Sequence, residues 1–404
     1  MCINTNMLNN QKFAEYFSNS YDITPNSKIK LKDIFNDHWD DFILYANEHN
    51  LQIRDVVFAE VDRIRILSCG CMSEGYFAYI CENCQEVKYS PFHCHSRFCP
   101  SCGISNILKK TDFILKRIIK APHRHIVFTI PDDLRDLFRK NRTLCFNILF
   151  QAVSDTLNYS IHKFKKSEKF SLGFISCLHT FGRDLKFNPH IHVLFCEYAS
   201  GIFTPYRKVP IYFEQLRKSF QFTILSKLEK AFGKVKFRAL KNKIYAKTPD
   251  GFYVYAKENS FIDTKLTVSY IIRYSCRPAI AESRIIFYDG KIVKFWYDRH
   301  EDGKRVIQTL SVFDFIKILI IHIPDKHFNM IRYYGFYLRP IRSSHKLFKL
   351  FNKYYFKARS CINSWRKRLI FFFGYDPLIC KSCGKEMILD YISIKGKIIN
   401  VNTC

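Results

Sequence analysis

The sequence predicts an α+β chain built on an antiparallel sheet with flanking helices and preceded by a small Cys-rich module. Three observations carry this. Strand-like runs alternate with helical spacings and sit beside hairpin-like neighbours, the pattern of a mixed antiparallel layer fold. Asn188-Pro189-His190-Ile191-His192-Val193-Leu194-Phe195 reads as a buried strand with two imidazoles on one face. Nine cysteines and histidines crowd the stretch from Cys69 to Cys102.

Taken in order, residues 1 to about 60 have charged, helical spacing, with Trp39, Phe42, Ile43 and Leu44 as apolar anchors. The Cys-rich stretch follows. Residues 104–120 repeat apolar positions at helical spacing until Pro122 ends the run. Residues 124–130 form a strand stopped by Pro131, and 132–165 a long, broken helical region. A strand over 170–181, a loop over 182–188 and the histidine strand over 190–197 come next. A helix over 212–232, short strands over 252–257, a helix over 266–276 and a hairpin over 284–299 around Asp289-Gly290 complete the middle of the chain. Residues 311–323 are the most apolar helical stretch, but Asp314, Lys317 and His322 mark a core helix rather than a membrane span. No apolar run of 18 or more residues and no basic-then-apolar leader is present, so the sequence predicts a soluble, cytoplasmic protein.

Two C-x-x-C knuckles, Cys81 to Cys84 and Cys99 to Cys102, suit a structural zinc site, in which each tight turn supplies two thiolates. Cys69, Cys71 and Cys94, with His93 or His95, could close a second site. A disulfide framework is the competing reading, disfavoured because nothing marks a secreted protein. Cys380 and Cys383 make one further knuckle, for which Cys361 or Cys404 could be partners.

Lys and Arg number 64 against 36 Asp and Glu, a formal net charge of +28, which points to a polyanion as partner. With 16% aromatic residues, a basic surface could both follow phosphates and stack bases, so single-stranded nucleic acid fits best. No basic amphipathic segment with a Trp-rich face points to a membrane surface.

His190 and His192 read either as half of a divalent-metal site or as two polar residues on a half-solvated face. Tyr270 and Tyr274, four apart, share one helix face and pair two phenols with that metal as nucleophile and Lewis acid. The plain alternative is core packing, since the chain has 24 tyrosines. No carboxylate stands beside the histidine pair at the spacing an iron oxygenase needs.

In their order, the cysteine cluster, Thr129-Ile130-Pro131, Leu178-His179-Thr180-Phe181-Gly182, Asn188-Pro189-His190-Ile191-His192 and Tyr270 to Tyr274 with Arg277-Pro278 and Ala281 resemble the two-tyrosine rolling-circle transposases of the HUH superfamily, the IS91-like family. Arg332 to Tyr337 and Asp376 to Cys383 resemble it too. Asn188 departs from it, standing where relatives often carry histidine. The resemblance implies an HUH endonuclease-like sheet. It implies Mg²⁺ or Mn²⁺ held by His190 and His192, with His179 as third ligand. It implies Tyr270 and Tyr274 as nucleophiles, Arg273 and Arg277 as helpers that contact DNA, and a 5′-phosphotyrosine link to single-stranded DNA at the element ends and the target. Zn²⁺ would be structural. The implied organisation is a helical region over 1–60, the zinc module over 61–103, the catalytic domain over 104–300 and a helical, basic region over 301–404 carrying the last knuckle. A plasmid replication initiator or relaxase would share the chemistry, and a non-catalytic, zinc-dependent nucleic-acid-binding protein is the alternative of another class.

Overall fold

The computed structural model describes residues 29–66, 72–96, 98–100, 102, 110, 113–114, 118–119, 121–164, 170–201, 207–208, 213–256, 278–299, 301–338, 364–373 and 375–401. The chain divides into two compact units, each discontinuous in sequence: Met1–Asp112 with Cys276–Ile323 and Ala358–Cys404, and Phe113–Ser275 with Pro324–Lys357. Strand pairing draws segments distant in sequence together within each unit.

In the first unit, helix α1 (Leu31–Glu48) buries Phe35, Trp39 and Phe42, one stripe of its surface, next to α2 (Asp55–Ile66). Ile43 is only half-buried and Leu44 points to solvent, so two of the four expected anchors lie off that stripe. Strands β1 (Gly75–Ile80) and β2 (Val87–Pro91) begin a sheet finished far downstream.

The second unit holds the central sheet. Its strands are β3 (His123–Thr129), β5 (Gly173–Phe181), β6 (Phe187–Cys196), β9 (Val254–Ala256) and β13 (Ile331–Gly335), in the order β13-β5-β6-β3-β9 with every pairing antiparallel. The expected run over 132–165 is two helices, α3 (Asp132–Lys140) and α4 (Arg142–Phe164), parted at Asn141. The expected strand over 170–181 is β4 (Phe170–Ser171) and β5, parted at Leu172. A small sheet joins β4, β7 (Tyr198–Gly201) and β8 (Arg207–Lys208). Helices α5 (Phe213–Phe232) and α6 (Lys234–Lys247) follow. No reading of the sequence anticipated α6, in which only Phe237 and Ile244 are buried.

Period-two alternation gives the central sheet two unlike faces. Ile126, Phe128, Phe174, Leu178, Ile191, Val193 and Phe195 point into one core with α4 and α5 residues such as Phe150, Phe220 and Leu225. At about 1.5–3 kcal/mol for each fully buried large apolar side chain, this layer anchors the sheet. The opposite face is apolar only at one end, where Ile175, Leu194, Cys196 and Tyr337 pack together. Its other end carries histidines.

Returning to the first unit, the turn Glu282–Arg284 leads into β10 (Ile285–Tyr288), β11 (Ile292–Asp298) and β12 (Arg305–Ser311), a meander whose first turn is the expected Asp289-Gly290. Helix α7 (Val312–Ile320) is the expected core helix, capped by the Ser311 hydroxyl, which accepts from the Asp314 amide. Helix α8 (Trp365–Phe373) precedes β14 (Ile388–Ile394) and β15 (Lys397–Asn400), which complete the sheet β15-β14-β1-β2. Among the described residues, no helix is long and apolar enough to cross a membrane.

Candidate metal centre and cysteine clusters

Antiparallel register decides which side chains meet. His190 on β6 lies opposite His179 on β5 and Thr129 on β3, and His192 opposite Cys177 and Val127. His179, His190 and His192 therefore share the open end of one sheet face, and their candidate ligand nitrogens all lie within 4.8 Å of one another. The ring centroid of His179 is 4.6 Å from that of His192 and 5.6 Å from that of His190. His190 and His192 are paired on both sides, with β5 and with β3, and His179 is paired with β6, which fixes their spacing.

One hydrogen bond fixes the tautomer of His190, and the contact with His125 suits either tautomer of His192. His190 Nδ1 lies 2.7 Å from the Asn188 carbonyl oxygen, so Nδ1 carries the hydrogen and donates it, leaving Nε2 a bare acceptor. His192 Nδ1 lies 2.9 Å from Nε2 of His125 on β3; when His192 donates there, its own Nε2 is bare as well. The two Nε2 atoms face each other at 3.0 Å. That contact is satisfied by one hydrogen on either Nε2 or by a cation beside both. Burial holds the His190 imidazole below its usual value, and burial followed by the charges of His179, His190 and His125 holds His192 well below. Both are thus neutral near pH 7, the form that ligates a metal. Among the described residues, these three imidazoles form a nitrogen-donor set that could hold a divalent ion.

The sequence reading missed His125. Its signal lies in period two along β3, but which strand pairs with β6, and in what register, is not written locally. Tyr270, Arg273, Tyr274 and Arg277 lie outside the described residues.

The cysteines group differently from the spacing-based expectation. Cys81 and Cys84 meet Cys380 and Cys383, while Cys94 joins Cys99 and Cys102 as a separate buried set. Pairing of β1 with β14 brings the last knuckle to the first across about three hundred residues, a contact that spacing within 69–102 cannot foretell. Neither His93 nor His95 belongs to either group; Cys69, Cys71, Cys361 and Cys404 lie outside the described residues.

Comparison with known proteins places this arrangement. The chain is 30% identical over 364 residues to the transposase for insertion sequence element IS801 of Pseudomonas savastanoi pv. phaseolicola, covering 83% of this chain and 84% of that one. The chain belongs to the IS91-like transposase family. A family model described as "Transposase zinc-binding domain" matches residues 34–130, and one described as "Putative transposase" matches 173–345. The first spans both described cysteine groups except Cys380 and Cys383, and the second spans His179, His190, His192 and both expected tyrosines. A further relative, "Putative transposase y4qJ" of Sinorhizobium fredii, is 28% identical over 291 residues, 66% of this chain and 71% of that one. No solved structure matches the chain at a significant level. The thiolate-rich clusters of this transposase fit structural zinc: sulfur is the preferred donor, and the groups are as close as one ion requires.

Proposed function

We propose that this transposase nicks and rejoins single-stranded DNA through a 5′-phosphotyrosine intermediate, in rolling-circle-type transposition at the ends of its element. The observation that carries the reading is the convergence of His179, His190 and His192 within 4.8 Å on the open end of the sheet. These three residues would hold the divalent ion. An all-imidazole set suits Mn²⁺ at least as well as Mg²⁺, which prefers oxygen. When bound, the ion would neutralise charge on the scissile phosphate and on the departing oxygen, an effect of several kcal/mol.

The chain's own groups do the rest. The hydroxyl oxygen of Tyr270 or Tyr274 attacks phosphorus, its proton leaves to solvent or a base, and the bond to the 3′-oxygen breaks to give a free 3′-hydroxyl. A phenol has a pKa of about 10, so cationic neighbours are needed to favour its ionised form, the role assigned to Arg273 and Arg277. The phosphotyrosine bond conserves the phosphodiester energy, so joining needs no nucleotide cofactor. Two tyrosines allow two transfers, one for each end of the element. The net charge of +28 supports a polyanionic partner.

The test is incubation of the purified protein with labelled single-stranded DNA from its element's ends and Mn²⁺ or Mg²⁺. A denaturation-resistant protein–DNA adduct is expected. Its absence with both ions, in protein that binds the same DNA, would leave a non-catalytic DNA-binding protein as the better reading.

A further inference from the structure

The knuckle at Cys380 and Cys383 lies beyond both matched regions, which end at residues 130 and 345. Its backbone nevertheless copies the knuckle at Cys81 and Cys84. The Cys81 amide donates to the Glu86 carbonyl and the Cys380 amide to the Lys385 carbonyl, each five residues on. The Gln85 amide donates back to the Cys81 carbonyl, and the Gly384 amide to the Cys380 carbonyl. Gln85 and Gly384, the fourth residues after the first cysteine of each knuckle, both take positive φ, 59° and 73°. In each knuckle the amide two residues past the second cysteine also faces sulfur, Glu86 toward Cys84 and Lys385 toward Cys383.

The two turns face each other as a pair. Cys81 Sγ lies 3.4 Å from Cys383 Sγ, and Cys84 Sγ lies 3.5 Å from Cys380 Sγ. Tetrahedral zinc with Zn–S bonds of about 2.3 Å places its sulfurs about 3.8 Å apart, so a shift of a few tenths of an ångström accommodates the ion. A disulfide needs about 2.05 Å, far shorter than either distance.

We propose that Cys81, Cys84, Cys380 and Cys383 hold one zinc ion as four thiolates, clamping the C-terminal hairpin β14–β15 onto the hairpin β1–β2. The zinc-binding region is then incomplete without the end of the chain. The set Cys94, Cys99 and Cys102 serves a separate ion, instead of sharing one with Cys81 and Cys84 as sequence spacing suggests. The clamp secures a four-stranded sheet in which β1 is central, paired to β2 on one side and to β14 on the other.

Zinc content of the reduced, full-length protein tests this. Cys380→Ser with Cys383→Ser loses about one zinc per chain, Cys81→Ser with Cys84→Ser loses that same ion, and the quadruple variant loses no more. Unchanged zinc in the Cys380 and Cys383 variant, or losses that add in the quadruple variant, overturns the assignment. Since a serine variant can lose metal by failing to fold, a second measurement uses the unaltered protein. Zinc is removed with a chelator, the freed thiols are oxidised with diamide, and the linked peptides are mapped. Links from Cys81 or Cys84 to Cys380 or Cys383 are expected; links from Cys81 or Cys84 to Cys99 or Cys102 in their place overturn the proposal.

Discussion

His125→Ala removes the group that orients a ligand without touching the ligand set itself. His192 Nδ1 loses its partner at 2.9 Å, so its hydrogen is free to move to Nε2, where it would block the metal. The ring also loses the stacked neighbour that fixes its plane, with centroids 5.2 Å apart. Loss of such an outer partner typically weakens metal affinity 10–100-fold, about 1.4–2.7 kcal/mol. The assay is adduct formation on element-end DNA over a Mn²⁺ titration. The half-saturating Mn²⁺ concentration rises by about that factor while the plateau at excess Mn²⁺ is largely regained. His125→Gln, which keeps an acceptor, shows a smaller shift. An unchanged Mn²⁺ dependence, with the adduct still formed, would refute the orienting role. A collapsed plateau that no Mn²⁺ restores would place His125 in another role.

Tyr270→Phe and Tyr274→Phe each leave folding and DNA binding nearly intact and impair complete transfer, and the double variant abolishes the adduct; an adduct surviving in the double variant puts the nucleophile elsewhere. Gly335→Ala costs about 3 kcal/mol or more by urea unfolding, because φ is +59° and a Cβ would stand 1.5 Å from the Leu172 carbonyl oxygen. An unchanged urea midpoint would contradict that geometry. Acid lowers stability through His123, whose pKa burial pulls down to about 4 from the usual imidazole value of 6.5. The unfolded chain takes up this proton below about pH 6.5 and the folded one only near pH 4, so the loss begins near 6.5 and reaches roughly 3 kcal/mol by pH 4. His123→Gln flattens the denaturation midpoint across that window if this account holds, and leaves its slope unaltered if it does not.

Local pattern made several elements of both units legible. β6 announced itself by alternation, β3 by a run closed at Pro131, and the β10–β11 hairpin by Asp289-Gly290. Pairings were not legible. Register between β3 and β6 decides that His125 meets His192, and a slip of one residue would have sent it to the opposite face. Helix α6 hid because basic residues surround its two buried positions, leaving little hydrophobic periodicity to read. The glycines at the end of β13 carried meaning only in register: Gly335 lies opposite Gly173, where an added Cβ would meet the Phe336 ring.

The central sheet explains how one scaffold carries both stability and reactive chemistry. Its helix-covered face is apolar along the length of the strands, so the sheet does not depend on the opposite face for its core. That opposite face is divided. At one end it is sealed by Tyr337, whose hydroxyl donates to His123 Nε2 at 2.7 Å while His123 Nδ1 donates to the Ala121 carbonyl, a buried chain in which each polar group has a partner. At the other end, the Nε2 atoms of His190 and His192 face each other at 3.0 Å. Under the proposed function, binding a divalent ion costs little reorganisation, because the register of β5 and β6 already brings the three imidazoles within 4.8 Å of one another.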